Sequence, residues 1–465
     1  MIQLTRKHIR TLRTTIRQSL GITNARRAPT ITLRAHPNEL RIQAATNTTA
    51  IECSFPGNHQ PECFAIPYEA LTACEGKQTD LVSFIQRDDV VVLEWSDAGI
   101  PQSVQFPVSE PVDMPPVPDK LTSIDPQFLS AMAEAVATSE TDSARYALSC
   151  IRLRGSDGQI AATDSAQALM QTGFTFPWTD AILVATSDAF TSNEFADADA
   201  VQIGRSADWV SIQANSITLH LQIEKEKRFP SIDLQIPTND SAGTTLSLSD
   251  DDVDFLLTSA KRLPGASDPN APVTVELNGV VAIRAVAEDQ SNPTELVLSN
   301  SRRIGDELLF NTDRTFLTRA AELGFRDILL RSDKAPAYCQ DDRRTYIWAL
   351  LSEEGAITSS AQTNRISSPV ISNSQTPPRK TRTSMTTPQT PTTKATARPA
   401  QPAATTTEPE PILSLLEQAE TLRDSLSQAL SDTRDLITAI KRNQKQNRLV
   451  ETTLRSLKQL EHIGA

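Results

Sequence analysis

The chain is short of the residues that usually carry chemistry. It has five cysteines, Cys53, Cys63, Cys74, Cys150 and Cys339, and no two of them form a C-x-x-C pair. That argues against a zinc site or a disulfide frame and predicts buried free thiols in a reducing compartment. The five histidines are scattered, none at ligand spacing from a cysteine or a second histidine, so no metal site is expected. Glycine is scarce, 15 residues in 465, and builds no phosphate-cradling loop. No nucleophile elbow or catalytic triad is spaced along the chain, so neither an enzyme nor a cofactor is expected. No apolar run nears 18 residues, which predicts no membrane-spanning helix. The basic N-terminus is followed by no apolar h-region, which predicts no signal peptide and a cytoplasmic protein.

Charge is abundant but segregated. The net charge is −12, which by itself argues against a nucleic-acid partner. Yet residues 1–41 hold nine Lys or Arg against one acid, Glu39, a local +8, while residues 42–356 carry −25. An acidic body with a basic strip is a polarised surface, not a uniformly repelling one.

Three stretches about 120 residues apart look like copies of one another, a period that means three like domains rather than a solenoid of small repeats. The first helix of each copy is expected at Arg6–Leu20 with Thr5 as N-cap, after Asp125-Pro126, and after Ser249. Asp250, Asp251 and Asp252 sit in the first turn of the third, where the helix dipole favours acids; with Asp254 they read as an acidic cap rather than a metal site. Strand-like segments follow at Glu39–Thr46, Gln159–Asp164 and Val280–Ala287, then second helices at Pro67–Ala73, Ser187–Phe195 and Thr312–Leu323. Each copy closes with a hairpin: Val90–Trp95 with Ser103–Pro107, Trp209–Ala214 with Ile217–Ile223, and Asp327–Arg331 with Thr345–Leu350. Two short helices and a strand-rich remainder make each copy α+β, with an antiparallel sheet supplying most of the core. The expected domains are 1–119, 120–238 and 239–356.

On the first helix, Ile9, Leu12, Ile16 and Leu20 form one stripe at 100° per residue. Arg6, Arg10, Arg13 and Arg17 form a second, about a quarter-turn away, expected to point outward as a column of guanidinium groups. Such a column suits a phosphate backbone, which it binds without reading sequence. It also suits a solvated helix face with snorkelling stems.

Three local motifs then carry a resemblance. Ile160-Ala161-Ala162-Thr163-Asp164 is similar to a strand ending V-A-T-D, Arg228-Phe229-Pro230 with Ile236-Pro237 to an R-F-P-x-x-x-x-h-P turn (h is apolar), and Ser143 to Leu148 to the segment after the first helix of a second domain. In this order and spacing, with the triple repeat, residues 1–356 resemble the bacterial DNA polymerase III beta subunit, the sliding clamp. The resemblance implies three clamp-like domains and a head-to-tail homodimer, a ring with helices lining the hole. It implies sequence-independent contact with double-stranded DNA through Arg6, Arg10, Arg13 and Arg17 and through the loop residues Arg26 and Arg27. It also implies a nucleoid-associated, non-catalytic processivity factor that tethers a DNA polymerase or meets a clamp loader, with a partner pocket at Thr163, Ala166, Gln167, Pro230, Leu234, Ile347, Ala349 and Leu350.

The departures fall on that pocket and on the basic lining. Ser165-Ala166-Gln167-Ala168 stands where the family has G-H-R-L, Leu234-Gln235 where it has Arg-Val, and Tyr346 to Ser352 where it has Y-x-x-M-P-M-R-L. The pocket is therefore expected to differ in shape or to be lost. The helix of copy two, Pro126–Thr138, holds no Lys or Arg, and copy three offers only Lys261, Arg262, Arg314 and Arg319. The alternative is a clamp-fold scaffold that no longer circles DNA and assembles through its C-terminus.

Residues 357–411 hold nine prolines, fourteen threonines and no aromatic residue, so a disordered linker is expected, with a reach of about 40 Å. From Ile412 to Leu457 a heptad seam includes Leu415, Leu422, Leu426, Leu436, Ile440, Val450, Leu454 and Leu457, interrupted by Asn443 and Asn447. It predicts a coiled coil or helical hairpin over 412–465, able to associate with itself.

Overall fold

The structure, a computed structural model, describes residues 1–24, 28–140, 146–196, 198–235, 243–288, 290–360 and 362–370, with Asn193 and Ala196 as backbone only. Arg26, Arg27, Ser143 to Arg145, Ile236, Pro237 and the whole seam from Leu415 to Leu457 lie outside the described residues.

Domain one contains β1 (Ile2–Thr5), α1 (Arg6–Ser19), β2 (Ile31–His36), β3 (Glu39–Ala45) and β4 (Thr49–Pro56). It then repeats the pattern with β5 (Glu62–Ile66), α2 (Tyr68–Cys74), β6 (Leu81–Arg87), β7 (Val90–Asp97) and β8 (Ile100–Pro107). Domain two has β9 (Thr122–Ile124), α3 (Gln127–Val136), β10 (Cys150–Arg154), β11 (Gln159–Thr163) and β12 (Gln167–Gln171). Its second half has β13 (Ala181–Ala185), a 3-10 turn (Asp188–Thr191), the helical turn α4 (Asn193–Ala196), β14 (Val201–Arg205), β15 (Trp209–Ala214) and β16 (Ile217–Glu224). Domain three has β17 (Thr244–Ser247), α5 (Asp250–Ser259), β18 (Pro272–Leu277), β19 (Val281–Ala285), β20 (Thr294–Leu298) and β21 (Arg302–Gly305). It ends with β22 (Leu308–Asp313), α6 (Arg314–Glu322), β23 (Asp327–Leu330), β24 (Ala337–Gln340), β25 (Arg344–Trp348) and β26 (Asn364–Ser367).

Each of the three repeats is thus a doublet of β-α-β-β-β units, to which domain three adds β21 and β26. The opening strand of each half crosses to the sheet of the other: β1 pairs with β6 and β5 with β2, β9 with β14 and β13 with β10, β17 with β23 and β22 with β18. That exchange ties the halves together by hydrogen bonds that neither half makes alone. The sheets also run through both domain joints. Ile51 of β4 lies opposite Leu219 of β16, and Leu169 of β12 opposite Tyr346 of β25. Edge strands that would otherwise leave backbone groups open are satisfied across the joints.

The helices form where capping and periodicity place them. Thr5 accepts from His8 N, the Asp125 carboxylate from Gln127 N at 2.9 Å, and Ser249 from Asp252 N. Ile9, Leu12 and Ile16 of α1 are buried, each worth roughly 1.5–3 kcal/mol of burial, while Leu20 at the C-cap is half-buried. Against the sheets the helices stand side by side. α1 packs on α2 and on the 3-10 turn of domain two, that turn packs on α3, and α5 packs on α6. Arg319 Nη2 of α6 donates to Glu134 O of α3 at 3.2 Å. The order along this face is α2, α1, turn, α3, α6, α5.

Three expectations need correction. The second helix of copy two is not continuous over Ser187–Phe195: Ser192 is extended, at φ −81° and ψ 149°, between the 3-10 turn and α4. Ser192 N closes the turn on the Ala189 carbonyl at 3.0 Å, an i→i−3 bond that ends the turn instead of continuing it as an α-helix. In copy three, Asp327–Arg331 does not pair with Thr345–Leu350, because β24 lies between them, pairing with both neighbours. Its approach, Ser332 to Pro336, reads as a loop in sequence. Finally, residues 357–360 and 362–370 pack with domain three rather than forming a linker: Ile357 N donates to Thr274 Oγ1 at 2.9 Å, and β26 joins β20. A strand added at a sheet edge is held by main-chain bonds and needs no apolar side chains, so composition does not disclose it.

Candidate functional site

The arginine column of α1 divides by depth. Arg6, at the first helical position, is buried; its Nε and Nη2 donate to the Cys74 and Glu75 carbonyls and its Nη1 to Asp97 at 2.8 Å. It fastens the carbonyls that the end of α2 leaves without helical partners, where a cation is favoured, and leaves the outward column. Arg13 is half-buried and pairs with Glu75 at 2.5 Å. Burial works against its charge, but the Glu75 hydrogen bond and charge more than offset that and raise its pKa. Arg10 and Arg17 are exposed, joined by Lys7 on the same helix and Lys77 beyond α2. None of these four makes an ion pair among the described residues. Lys7, Arg10, Thr11, Thr14, Gly76, Lys77 and Glu194 line a hollow of about 440 Å³. Lys7 escaped the sequence reading, although its place three residues before Arg10 puts it beside that arginine.

Domain three uses its arginines in the same structural way. Arg314, at the first position of α6, is 3% exposed and donates to the carbonyls of Ala260, Leu263, Pro264, Ala271 and Pro272. It binds the end of the α5 segment as Arg6 binds the end of α2. With Arg319 engaged on Glu134 O and Lys261 paired to Glu322 at 3.1 Å, Arg262 is the exposed cation of that set without an ion pair. On α3 the exposed residues are Gln127 and Ser130.

A second feature lies at the joint of domains two and three. A cavity of about 540 Å³ opens above the β12–β25 seam, and none of its lining residues is charged. Ala168 and Ile347, opposite each other across the seam, form the floor with Ile232; Tyr146, Leu148, Pro230 and Pro336 stand around it. Seven of the eight residues expected there, Thr163, Ala166, Gln167, Pro230, Leu234, Ile347 and Ala349, line it. The eighth, Leu350, packs against the domain three core instead. Strand β25 ends at Trp348, so Leu350 lies beyond the strand that borders the cavity.

Polar contacts hold the cavity walls. The Asp164 carboxylate accepts from Ala166 N and Gln167 N at 2.8 Å each and from Gln167 Nε2 at 2.9 Å. Tyr346 OH donates to Gln167 Oε1 at 2.6 Å, across the joint. On the far wall the turn Ile232–Gln235 is pinned by Asp233, which Arg152 grips with both nitrogens at 2.8 Å and Arg154 reaches at 3.3 Å. Burial opposes the Asp233 charge, yet the Arg152 hydrogen bonds and charge hold its pKa below the ordinary aspartate value. The anchored aspartate presents its neighbour Leu234, 85% exposed, at the rim. The hollow is thus uncharged, with an exposed leucine at its mouth. A cavity thus lies where the pocket was expected to differ in shape or be lost, and its lining holds neither His nor Arg.

Among the described residues no group of three or more His, Cys, Asp or Glu is placed to hold a metal ion. Among the same residues no helix is long and apolar enough to cross a membrane.

Three doubled domains with sheets running through the joints and helices in one row have the architecture of a DNA sliding clamp. The chain shares it with the DNA polymerase III beta chain of Streptococcus pneumoniae, at 14% identity over 75% of this chain and 99% of that one, with a TM-score of 0.61. The beta subunit of Streptococcus pyogenes matches at 13% identity over 75% and 99%, TM-score 0.62. A Pseudomonas aeruginosa sliding clamp bound to griselimycin matches at 13% over 76% and 99%, TM-score 0.61. At these identities the likeness is one of fold. No family model and no curated protein sequence matches the chain.

Proposed function

We propose that this protein is a non-catalytic, sliding-clamp-like tether: a homodimeric ring that holds double-stranded DNA without reading its sequence, within the nucleoid. The observation that carries the reading is the continuous row of helices with Lys7, Arg10, Arg17 and Lys77 exposed at the domain one end. Unpaired cations in an otherwise acidic body concentrate attraction for phosphates on one face. The uncharged cavity above β12 and β25 is the second half of the proposal. It would receive an apolar peptide of a DNA polymerase, a clamp loader or another DNA-acting partner.

The test is retention on DNA. The wild-type chain is loaded on nicked circular and on linear DNA, and release is followed at several salt concentrations. Slow release from circles and fast release from linear ends are expected, with both lost in Arg10→Glu/Arg17→Glu. Equal release from circles and linear DNA would remove the ring.

A second reading has its own support. α3 exposes no cation, and Arg314 and Arg319 are engaged in the fold. A scaffold that keeps the clamp fold without encircling DNA fits that bare stretch, and such a scaffold predicts DNA affinity that is unchanged in the arginine variant.

A further inference from the structure

The chain closes one of its own sheet edges. β26 lies along β20, with Thr294 opposite Asn364 and Val297 opposite Ser367, and the pair is parallel. Every other strand pair among the described residues is antiparallel. All four side chains of β26 are exposed, so it buries little apolar surface. Its attachment rests on main-chain bonds, on Ser299 Oγ and Asn300 Nδ2 donating to the Ser368 and Pro369 carbonyls at 3.0 and 2.9 Å, and on two latches made by its own side chains. Arg365 Nε donates to Glu295 Oε1 at 2.5 Å. Ser368 Oγ donates to Asp252 at 2.5 Å and accepts from Ser299 N at 2.8 Å.

The surface beneath is built to survive the departure of this segment. Glu295 keeps Arg284, whose Nε lies 2.6 Å from it. Asp252 keeps Asn300 N at 2.9 Å and Ser301 Oγ at 2.7 Å. Neither buried carboxylate is orphaned, so removal does not incur the cost of an unpaired buried charge. What removal exposes is a strand edge with free N–H and C=O groups, a template for another strand.

A strand of that kind is available at the other end of the protein. The four-stranded sheet of domain one ends on β8, which pairs with β7 on one side and with nothing among the described residues on the other. Its eight residues, Ile100–Pro107, include no charge, and its two prolines, Pro101 and Pro107, stand near its ends, which leaves Gln102 to Phe106 without either guard. β8 is long enough to span all five residues of β20, whereas β26 reaches four of them.

We propose that residues 362–370 form a displaceable strap over β20, and that the strand the strap excludes is β8 of a second copy of this chain. The proposal rests on the head-to-tail assembly put forward above and adds its control: domain three accepts domain one of another copy only when its own strap has lifted.

The experiment uses the full chain without DNA. Sedimentation velocity across a concentration series compares wild type with Arg365→Glu and Ser368→Ala, while hydrogen exchange follows residues 100–107, 294–298 and 364–368. The latch variants should self-associate more tightly, roughly tenfold in dissociation constant for the loss of one charge-assisted bond. In them 364–368 should lose protection, and 100–107 should gain it as concentration rises. A synthetic peptide of residues 362–370 should reverse the gain, and Gln102→Lys/Gln105→Lys on β8 should abolish it. Self-association that is the same in wild type and both latch variants overturns the strap, as does assembly in which 364–368 stays protected. Failure of DNA retention with latch-dependent assembly intact would sink the tether and leave the strap standing.

Discussion

Arg6 Nη1 lies 2.8 Å from Asp97 Oδ1, so the arginine that opens α1 is committed to the inside of domain one. Its other nitrogens cap the end of α2. Arg6→Ala removes these bonds and leaves two buried carbonyls unpaired, at a cost of about 2 kcal/mol. Arg10→Ala and Arg17→Ala, both on the exposed face, should leave the urea midpoint where it is and instead lower the salt dependence of DNA binding by roughly one unit per arginine. If Arg6→Ala keeps full stability and loses DNA binding like Arg10→Ala, the division of the column by depth is wrong.

That division marks how far the sequence was legible. The apolar stripe Ile9, Leu12, Ile16 and the caps Thr5, Asp125 and Ser249 were readable, because period and capping chemistry are local. The fate of Arg6 was not, since its partners Cys74, Glu75 and Asp97 lie more than sixty residues away. The same holds for β1, β9 and β17, strands of four, three and four residues whose pairing partners come from the other half of the domain. Three copies were visible and six half-copies were not, because the short strand that opens each half carries too few residues to show a period. Seven of the eight positions taken from the motif resemblance line one cavity, whereas Leu350 lies past the end of β25 and packs on the domain three core.

The cysteines give a second check. Cys53, Cys74, Cys150 and Cys339 are buried, while Cys63 on β5 is exposed, so the expectation of uniformly buried thiols fails at one position. Burial pushes Cys53 and Cys74 up to about 12 and Cys150 up to about 11, which removes the reactive thiolate at neutral pH. One thiol per chain should react rapidly with a chromogenic disulfide reagent at pH 8, and Cys63→Ser should abolish that phase. Five thiols should react in denaturant. A fast phase that persists in Cys63→Ser would show that one of the buried cysteines opens.

Acid should loosen the joint between domains one and two. His220 sits on β16 opposite Ala50 of β4, 3% exposed, with its Nδ1 2.8 Å from Ser211 Oγ. Burial lowers its pKa from 6.5 to about 4. The folded pKa is below the unfolded one, so between those values the unfolded chain binds more protons. Stability is therefore full above pH 6.5 and falls as pH drops toward 4, by about 3 kcal/mol in all. Urea midpoints measured from pH 7 to pH 4.5 should fall in wild type and fall less in His220→Gln. Parallel curves for the two proteins would assign the acid loss to other groups.

The cavity at the second joint separates binding from folding through two leucines. Leu234 is 85% exposed at the rim, held there by the grip of Arg152 on Asp233, whereas Leu350 packs on the domain three core and stays out of the cavity. Leu234→Ser loses no buried surface in the free protein, so its thermal midpoint should match wild type. Peptides selected for binding to the wild-type chain should weaken on it by roughly tenfold or more, the share of a leucine that becomes covered on docking. Leu350→Ala should do the reverse, lowering the midpoint through lost core packing while leaving peptide affinity unchanged. Occupancy is readable without a label, because Trp348 lines the cavity with its indole Nε1 donating to Thr312 Oγ1 at 3.0 Å. A peptide that binds with equal affinity to wild type and Leu234→Ser, and leaves the Trp348 emission unmoved, must sit elsewhere on the protein.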